Sequence, residues 1–249
     1  MRFAVAGGTG VIGRHVVERA RARGHDVAIV ARSAGSDVRT GEGLDDALKG
    51  ADALIDVVSV QTLRAATATS FYERAAGNLL ASAARMSVPH VVVLSIVGVD
   101  RDPHGYYAGK VAQEAAYENG RVPWSLVRAT QFHEFAEQIA RRARLGPVQL
   151  APRARVQPIA AAEVAEQLLT IAEGDPSGRT PDIAGPQEEE LSDMIRRWSE
   201  AQGRRGPVIP VSLPDAQMRG MRQGLVLPGP DAIRRGPTFA EWLEAQPRG

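Results

Sequence analysis

The chain has 249 residues, of which 44% are hydrophobic, and its 30 Lys and Arg against 29 Asp and Glu leave a formal net charge of +1. A charge so balanced argues against nucleic acid as a partner, while the hydrophobic fraction is enough for a sizeable core. There are no cysteines, which excludes disulfides, thiolate nucleophiles and Cys-ligated metal and is ordinary for a cytoplasmic protein.

Arg2-Phe3-Ala4-Val5-Ala6 is a short apolar run suited to a buried parallel strand. It begins at residue 2, which leaves no room for a signal peptide, and no later apolar run reaches membrane-spanning length. The expectation is a cytoplasmic protein with no membrane partner. Gly7-Gly8-Thr9-Gly10-Val11-Ile12-Gly13 follows, and Val16, Val17 and Ala20 then recur at helical spacing. Gly8, Gly10 and Gly13 satisfy G-x-G-x-x-G; Gly7, Gly10 and Gly13 satisfy G-x-x-G-x-x-G. At a strand-to-helix turn such glycines let backbone N–H groups and the positive end of a helix dipole approach a pyrophosphate. Gly7, Thr9, Gly10, Val11, Ile12 and Gly13 are therefore candidate cofactor contacts.

Residues 25–31 read as the second strand. An acidic residue near its end would bind a ribose 2′-hydroxyl; here Ala31-Arg32-Ser33 stands instead. Arg32 can clamp a 2′-phosphate with a planar fork and Ser33 can add a hydrogen bond, which favours NADP(H) over NAD(H). A short third strand is expected near Val38, then a brief helix over 44–48. The run 53–58 is the next buried strand, and Val58 and Ser59 at its carboxyl end should border the cofactor. A long helix is expected over 65–86, a central strand over 90–95, a helix over 106–119, a strand over 124–128 and a helix over 131–144. This alternation predicts an α/β fold, a Rossmann-like doubly wound parallel sheet.

Beyond Gly146, Pro and Gly become frequent and long apolar strands disappear. Helices are expected over 163–173, 191–202 and 239–245. The expectation is one NAD(P)-binding domain over 1–249. Residues 1–145 form its dinucleotide-binding core, and 146–249 a small irregular lobe over the carboxyl ends of the strands, walling a substrate cleft. Met218 is a candidate for that wall.

Tyr106-Tyr107-Ala108-Gly109-Lys110 contains Y-x-x-x-K, which puts Tyr106 and Lys110 on one helix face. An ammonium nearby, with the positive nicotinamide of an oxidised cofactor, is expected to lower the phenol pKa and suit it to proton transfer. Ser95 ends a strand just upstream and could hold a substrate carbonyl oxygen beside that phenol. Tyr107, the frame-shifted competitor, should face elsewhere. His133 and Glu134 follow a strand end and could face nicotinamide or substrate. The remaining histidines are scattered singly, so no metal site is expected.

These features together resemble the short-chain dehydrogenase/reductase superfamily, and within it the atypical NmrA-like NAD(P)H-binding branch. The resemblance rests on the glycine turn, Ala31-Arg32-Ser33, Leu94-Ser95-Ile96-Val97-Gly98, the Tyr106 and Lys110 motif, and Val127-Arg128-Ala129-Thr130-Gln131-Phe132. It implies a Rossmann-like fold, NADP(H), and catalysis by Ser95, Tyr106 and Lys110, with Lys110 also holding the nicotinamide ribose. It places Ala129 and Phe132 beside the cofactor and Gln131 and His133 towards the substrate. Ala129 stands where many relatives carry proline, Gly41-Glu42 replaces a usual Gly-Asp, and Asn78 is the nearest match to the asparagine other members carry on the long helix. The implied activity is NADPH-dependent reduction of a carbonyl or activated double bond in a small molecule. A non-catalytic NADP redox sensor, or an epimerase, dehydratase or cyclase, stays open, as does a monomeric or dimeric state.

Overall fold

Short runs of Ala, Val, Leu and Ile bounded by glycine turns become the strands, because such side chains pack well on a sheet covered on both faces. The computed structural model of the chain describes residues 1–247. In chain order its elements are β1 (Arg2–Ala6), α1 (Val11–Ala22), β2 (Asp26–Val30), α2 (Leu44–Leu48), β3 (Ala53–Asp56), α3 (Ala65–Arg85), β4 (Val91–Ile96), α4 (Tyr106–Glu118) and β5 (Trp124–Ala129). Then come α5 (Glu134–Arg142), β6 (Arg144–Leu145), β7 (Val148–Pro152), β8 (Arg155–Val156), α6 (Ala161–Ala172), β9 (Gly178–Arg179), β10 (Ile183–Ala184), β11 (Glu189–Glu190), α7 (Leu191–Ala201), β12 (Val208–Val211), α8 (Ala216–Arg222), β13 (Ile233–Arg234) and α9 (Phe239–Glu244). Two compact units interleave along this order. The first takes residues 1–95, 103–128 and 164–181, and the second takes 96–102, 129–163 and 182 onward. The last two positions of the lobe expected over 146–249 lie outside the described residues.

In the first unit the strands run in the order β2-β1-β3-β4-β5, with β9 beside β5. β1 pairs in parallel with β2 and β3, and β3 in parallel with β4. Ala4, Ala6, Leu54, Val91, Val93 and Leu126 from the sheet pack with Tyr72, Ala76 and Leu79 of α3 and with Tyr117 of α4, all fully buried. Each large apolar side chain removed from water there contributes about 1.5–3 kcal/mol. The α3–α4 contact is close because Gly109 offers no side chain: a Cβ there would lie 2.7 Å from Ala68 and from the Tyr72 ring.

The strand expected near Val38 is not formed. Gly41 N–H donates to Asp37 O and Asp37 N–H to Glu42 O, each at 2.9 Å, closing a turn instead. Gly41 and Gly43 have φ of +84° and +67°, the left-handed region that interrupts an extended run. Val38 instead gives its carbonyl to Asn78 Nδ2 at 3.0 Å.

In the second unit Ala129 pairs in parallel with Ile183, and β10 with β13. β8 and β11 pair antiparallel, and β12, β7 and β6 form a three-stranded sheet. In that last sheet β7 and β12 are far apart in sequence, each is short, and neither pattern announces the other. The helices expected over 163–173, 191–202 and 239–245 form as α6, α7 and α9, within two residues at each end. Thr238 and Glu241 close a capping box at the start of α9.

Candidate active site

The glycine turn joins β1 to α1. Gly7 has φ +82°, and a Cβ on it would press to 2.9 Å of the Val57 carbonyl oxygen. A Cβ on Gly13 would stand 2.1 Å from Gly7 O and 2.6 Å from Gly8 Cα. Gly7 and Gly13 are thus demanded by the backbone itself, which brings the first turn of α1 hard against the strand end. Thr9 and Gly10 are exposed, while Ile12 and Gly13 are buried. Gly10 caps α1 with no side-chain hydrogen bond, and no acid lies in the first turn. The first N–H groups of a 12-residue helix are therefore left for an incoming acceptor, with no carboxylate to repel an anion. This cradle fits a dinucleotide pyrophosphate. Arg32 and Ser33 lie just past β2 in a short 3-10 turn, both exposed. Val58, two residues past the end of the neighbouring β3, is buried and Ser59 is exposed.

Tyr106 opens α4 and is partly buried; Tyr107 is buried. The Tyr106 hydroxyl meets that of Tyr72 from α3 at 2.5 Å, and their rings meet edge to face at 5.8 Å. One turn along α4, Lys110 is buried, and its Nζ donates to Leu94 O at 2.8 Å and to Gln113 Oε1 at 2.7 Å. The same Nζ lies 4.7 Å from the centre of the Tyr72 ring. Ser95, next to Leu94 on β4, is buried, and its hydroxyl has no hydrogen-bond partner among the described residues. The elements therefore join Tyr106 to Lys110 through Tyr72, and Lys110 to the backbone beside Ser95.

The electrostatics differ from the expected lowering of the Tyr106 pKa. Burial pushes it up, partly offset by the Tyr72 hydrogen bond, with Asp56 pushing it further up. Lys110 is pulled down to about 8 by burial, against the opposing pull of Asp56 and Glu114. At neutral pH the pair is a neutral phenol and an ammonium. That is the proton-donating form of the tyrosine.

Asp56, Tyr72, Gln113 and Tyr117 were not singled out from the sequence. Asp56 is fully buried on β3 and accepts from Gln113 Nε2 and from the Tyr117 hydroxyl, each at 2.7 Å, and from Val58 N–H at 3.0 Å. Gln113 thus links Asp56 to Lys110. A signal existed: an aspartate inside the apolar run 53–58 is rarely buried without partners. Asn78, in contrast, contacts Val38 and not this network.

The remaining candidates lie in the second unit. Ala129 is buried in its strand pairing, and Phe132 bridges to Ile159. Gln131 is buried. His133 is fully buried, bonded through Nε2 to Pro237 O at 3.1 Å and packed against Phe239 and Trp242. Burial holds its pKa down at about 4, so it is a neutral, enclosed imidazole. Glu134 is partly buried with a raised pKa. Met218 is partly buried on α8.

A sequence model described as NAD(P)H-binding matches residues 7–175. No curated protein matches in sequence. Among solved structures, the NADPH-dependent quinone oxidoreductase QOR2 of Escherichia coli, solved with NADPH, is similar, with a TM-score of 0.75 at 17% identity over 97% of this chain and 98% of that one. MoeE5, solved with UDP-glucuronic acid and NAD, gives a TM-score of 0.73 at 17% identity over 99% and 97%. A UDP-galactose 4-epimerase gives 0.72 at 18% identity over 98% and 96%. At these identities the likeness shows the fold, a Rossmann-type α/β sheet. Among the described residues no helix is long and apolar enough to cross a membrane.

Proposed function

Because this chain belongs to the NAD(P)H-binding family, we propose that it is an NADPH-dependent oxidoreductase that reduces a carbonyl or an activated double bond in a small organic molecule. The dinucleotide would be held by the turn of Gly7, Thr9, Gly10, Val11, Ile12 and Gly13, with Val58 and Ser59 bordering it. Arg32 and Ser33 would meet a 2′-phosphate. When bound, the reduced nicotinamide supplies the hydride.

The chain's own part is the proton. The Tyr106 O–H bond breaks, the proton passes to the substrate oxygen, and a phenolate is left. Lys110 keeps a positive charge close by, with two of its hydrogens on Leu94 O and Gln113 Oε1 and a third for the nicotinamide ribose. The Ser95 hydroxyl would hold the substrate oxygen; leaving a buried hydroxyl unpaired costs about 1–3 kcal/mol, which an incoming acceptor relieves.

The observation that carries this reading is geometric: the partly buried Tyr106 hydroxyl meets Tyr72, whose ring lies against the buried Lys110 ammonium, in the same unit as the glycine turn. Purified protein with NADPH and a panel of aldehydes, ketones and quinones tests it, read by nicotinamide absorbance. Oxidation of NADPH with at least one class supports it. No oxidation across the panel, together with a strong preference for one redox form of the cofactor, would favour a sensor.

A further inference from the structure

We propose that Tyr72 is a positioning residue for Tyr106: its hydroxyl holds the Tyr106 oxygen and stabilises it once the proton has left. This rests on the reading of Tyr106 as proton donor. Three features place Tyr72 for the role. Its hydroxyl is 2.5 Å from that of Tyr106, and its second acceptor, Val58 O, lies at 3.4 Å. Its ring covers the Lys110 ammonium. Its ring also sits against Gly109, where any Cβ would come within 2.7 Å, so the small residue between Tyr106 and Lys110 is the seat for Tyr72.

The hydrogen bookkeeping gives the mechanism. Tyr72 has one O–H and two acceptors in reach. While Tyr106 is protonated, it donates to Tyr72, and Tyr72 donates to Val58 O. When Tyr106 gives its proton to a substrate oxygen, the Tyr72 O–H turns to the phenolate. A hydrogen bond to the charged form favours that form. The charged and titratable groups facing the pair are Asp56 of β3, which opposes ionisation of both phenols, and Lys110 of α4. Burial pushes the Tyr72 phenol well above its ordinary value, which keeps its O–H in place as a donor.

The test is an alkaline titration of the ligand-free protein by tyrosinate absorbance, with Tyr106→Phe identifying the Tyr106 transition. Tyr72→Phe keeps the ring on Lys110 and Gly109 and deletes only the hydroxyl. The Tyr106 transition should move up by about one to two pH units, the size of a hydrogen bond to a charged acceptor. An unmoved transition overturns the proposal. A second measurement uses the unaltered chain: in carbon-13 spectra of labelled tyrosine, the Tyr72 Cζ resonance should shift at the pH where Tyr106 ionises. A Tyr72 resonance that stays still through that transition also overturns it. Neither readout needs a substrate. If Tyr72→Phe moves the transition yet Tyr106→Phe retains turnover, the Tyr72 contact stands and the reading of Tyr106 as proton donor fails.

Discussion

Lys110 Nζ donates to the carbonyl oxygen of Leu94 at 2.8 Å, so the candidate lysine grips the backbone one residue before the candidate serine, Ser95. The same ammonium is desolvated, which pulls its pKa down to about 8. Replacing it therefore has opposing effects on the fold: two buried acceptors lose their donor, but a buried charge is removed.

Lys110→Met should change stability by no more than about 1–2 kcal/mol in urea unfolding, while weakening NADPH binding about tenfold through the lost ribose contact. Cofactor titration of the folded variant checks this. Unchanged affinity would remove Lys110 from the cofactor site.

Arg32 is exposed just past β2, in a short 3-10 turn. Arg32→Ala should leave stability within about 0.5 kcal/mol. NADPH affinity should fall by roughly tenfold to a hundredfold, the worth of a charge-assisted contact, with NADH affinity unmoved. Calorimetry with both cofactors decides it, and an equal loss for the two would put Arg32 somewhere other than the 2′-phosphate.

Glu114 and Arg128 form a buried bidentate pair, with Nε to Oε1 at 2.8 Å and Nη2 to Oε2 at 2.5 Å. Their side chains are 7% and 5% exposed. Arg128→Met leaves a buried carboxylate without this partner and should lower stability by about 3–5 kcal/mol. Arg85→Met breaks the exposed pair with Asp45 and should change stability by less than about 1 kcal/mol. Comparable losses for the two variants would contradict the burial argument.

The sheet and the glycine turn were legible because they rest on local patterns. Five-residue apolar runs specify buried strands, and Gly7 and Gly13 are required by contacts within their own turn. Tyr106, Lys110 and Ser95 were legible as types at a spacing. Tyr72 was not: it lies in an alanine-rich helix 34 residues before Tyr106, and only the α3–α4 packing over Gly109 joins them. The missing strand near Val38 and the β7–β12 pairing have the same origin. Short segments are decided by partners elsewhere in the chain rather than by their own pattern. The expected lowering of the Tyr106 pKa missed the burial of the phenol, which no local pattern reports.

His133 gives a pH prediction. Its folded pKa of about 4 lies below the ordinary 6.5 because burial disfavours the charged ring. The unfolded chain therefore binds a proton between those values while the folded chain does not, so stability falls as pH drops through that window. The full loss is about 3 kcal/mol, and there is none above the window. His133→Phe keeps an aromatic ring beside Phe239 and Trp242 and should flatten this part of the stability profile. Denaturation midpoints of both proteins across the acid range measure it. Parallel profiles would mean that His133 protonates equally well in the folded chain.

The most direct measurement compares NADPH turnover of the unaltered chain, Tyr106→Phe and Tyr107→Phe on the best substrate of the carbonyl and quinone panel, with NADPH affinity measured alongside. Tyr106→Phe should bind NADPH as the unaltered chain does and lose roughly 10²–10⁴-fold in turnover, the usual contribution of a positioned acid. Tyr107→Phe, whose side chain points elsewhere round the helix, should keep most of it. Full turnover in Tyr106→Phe, or its loss in Tyr107→Phe alone, would contradict the assignment of the proton donor.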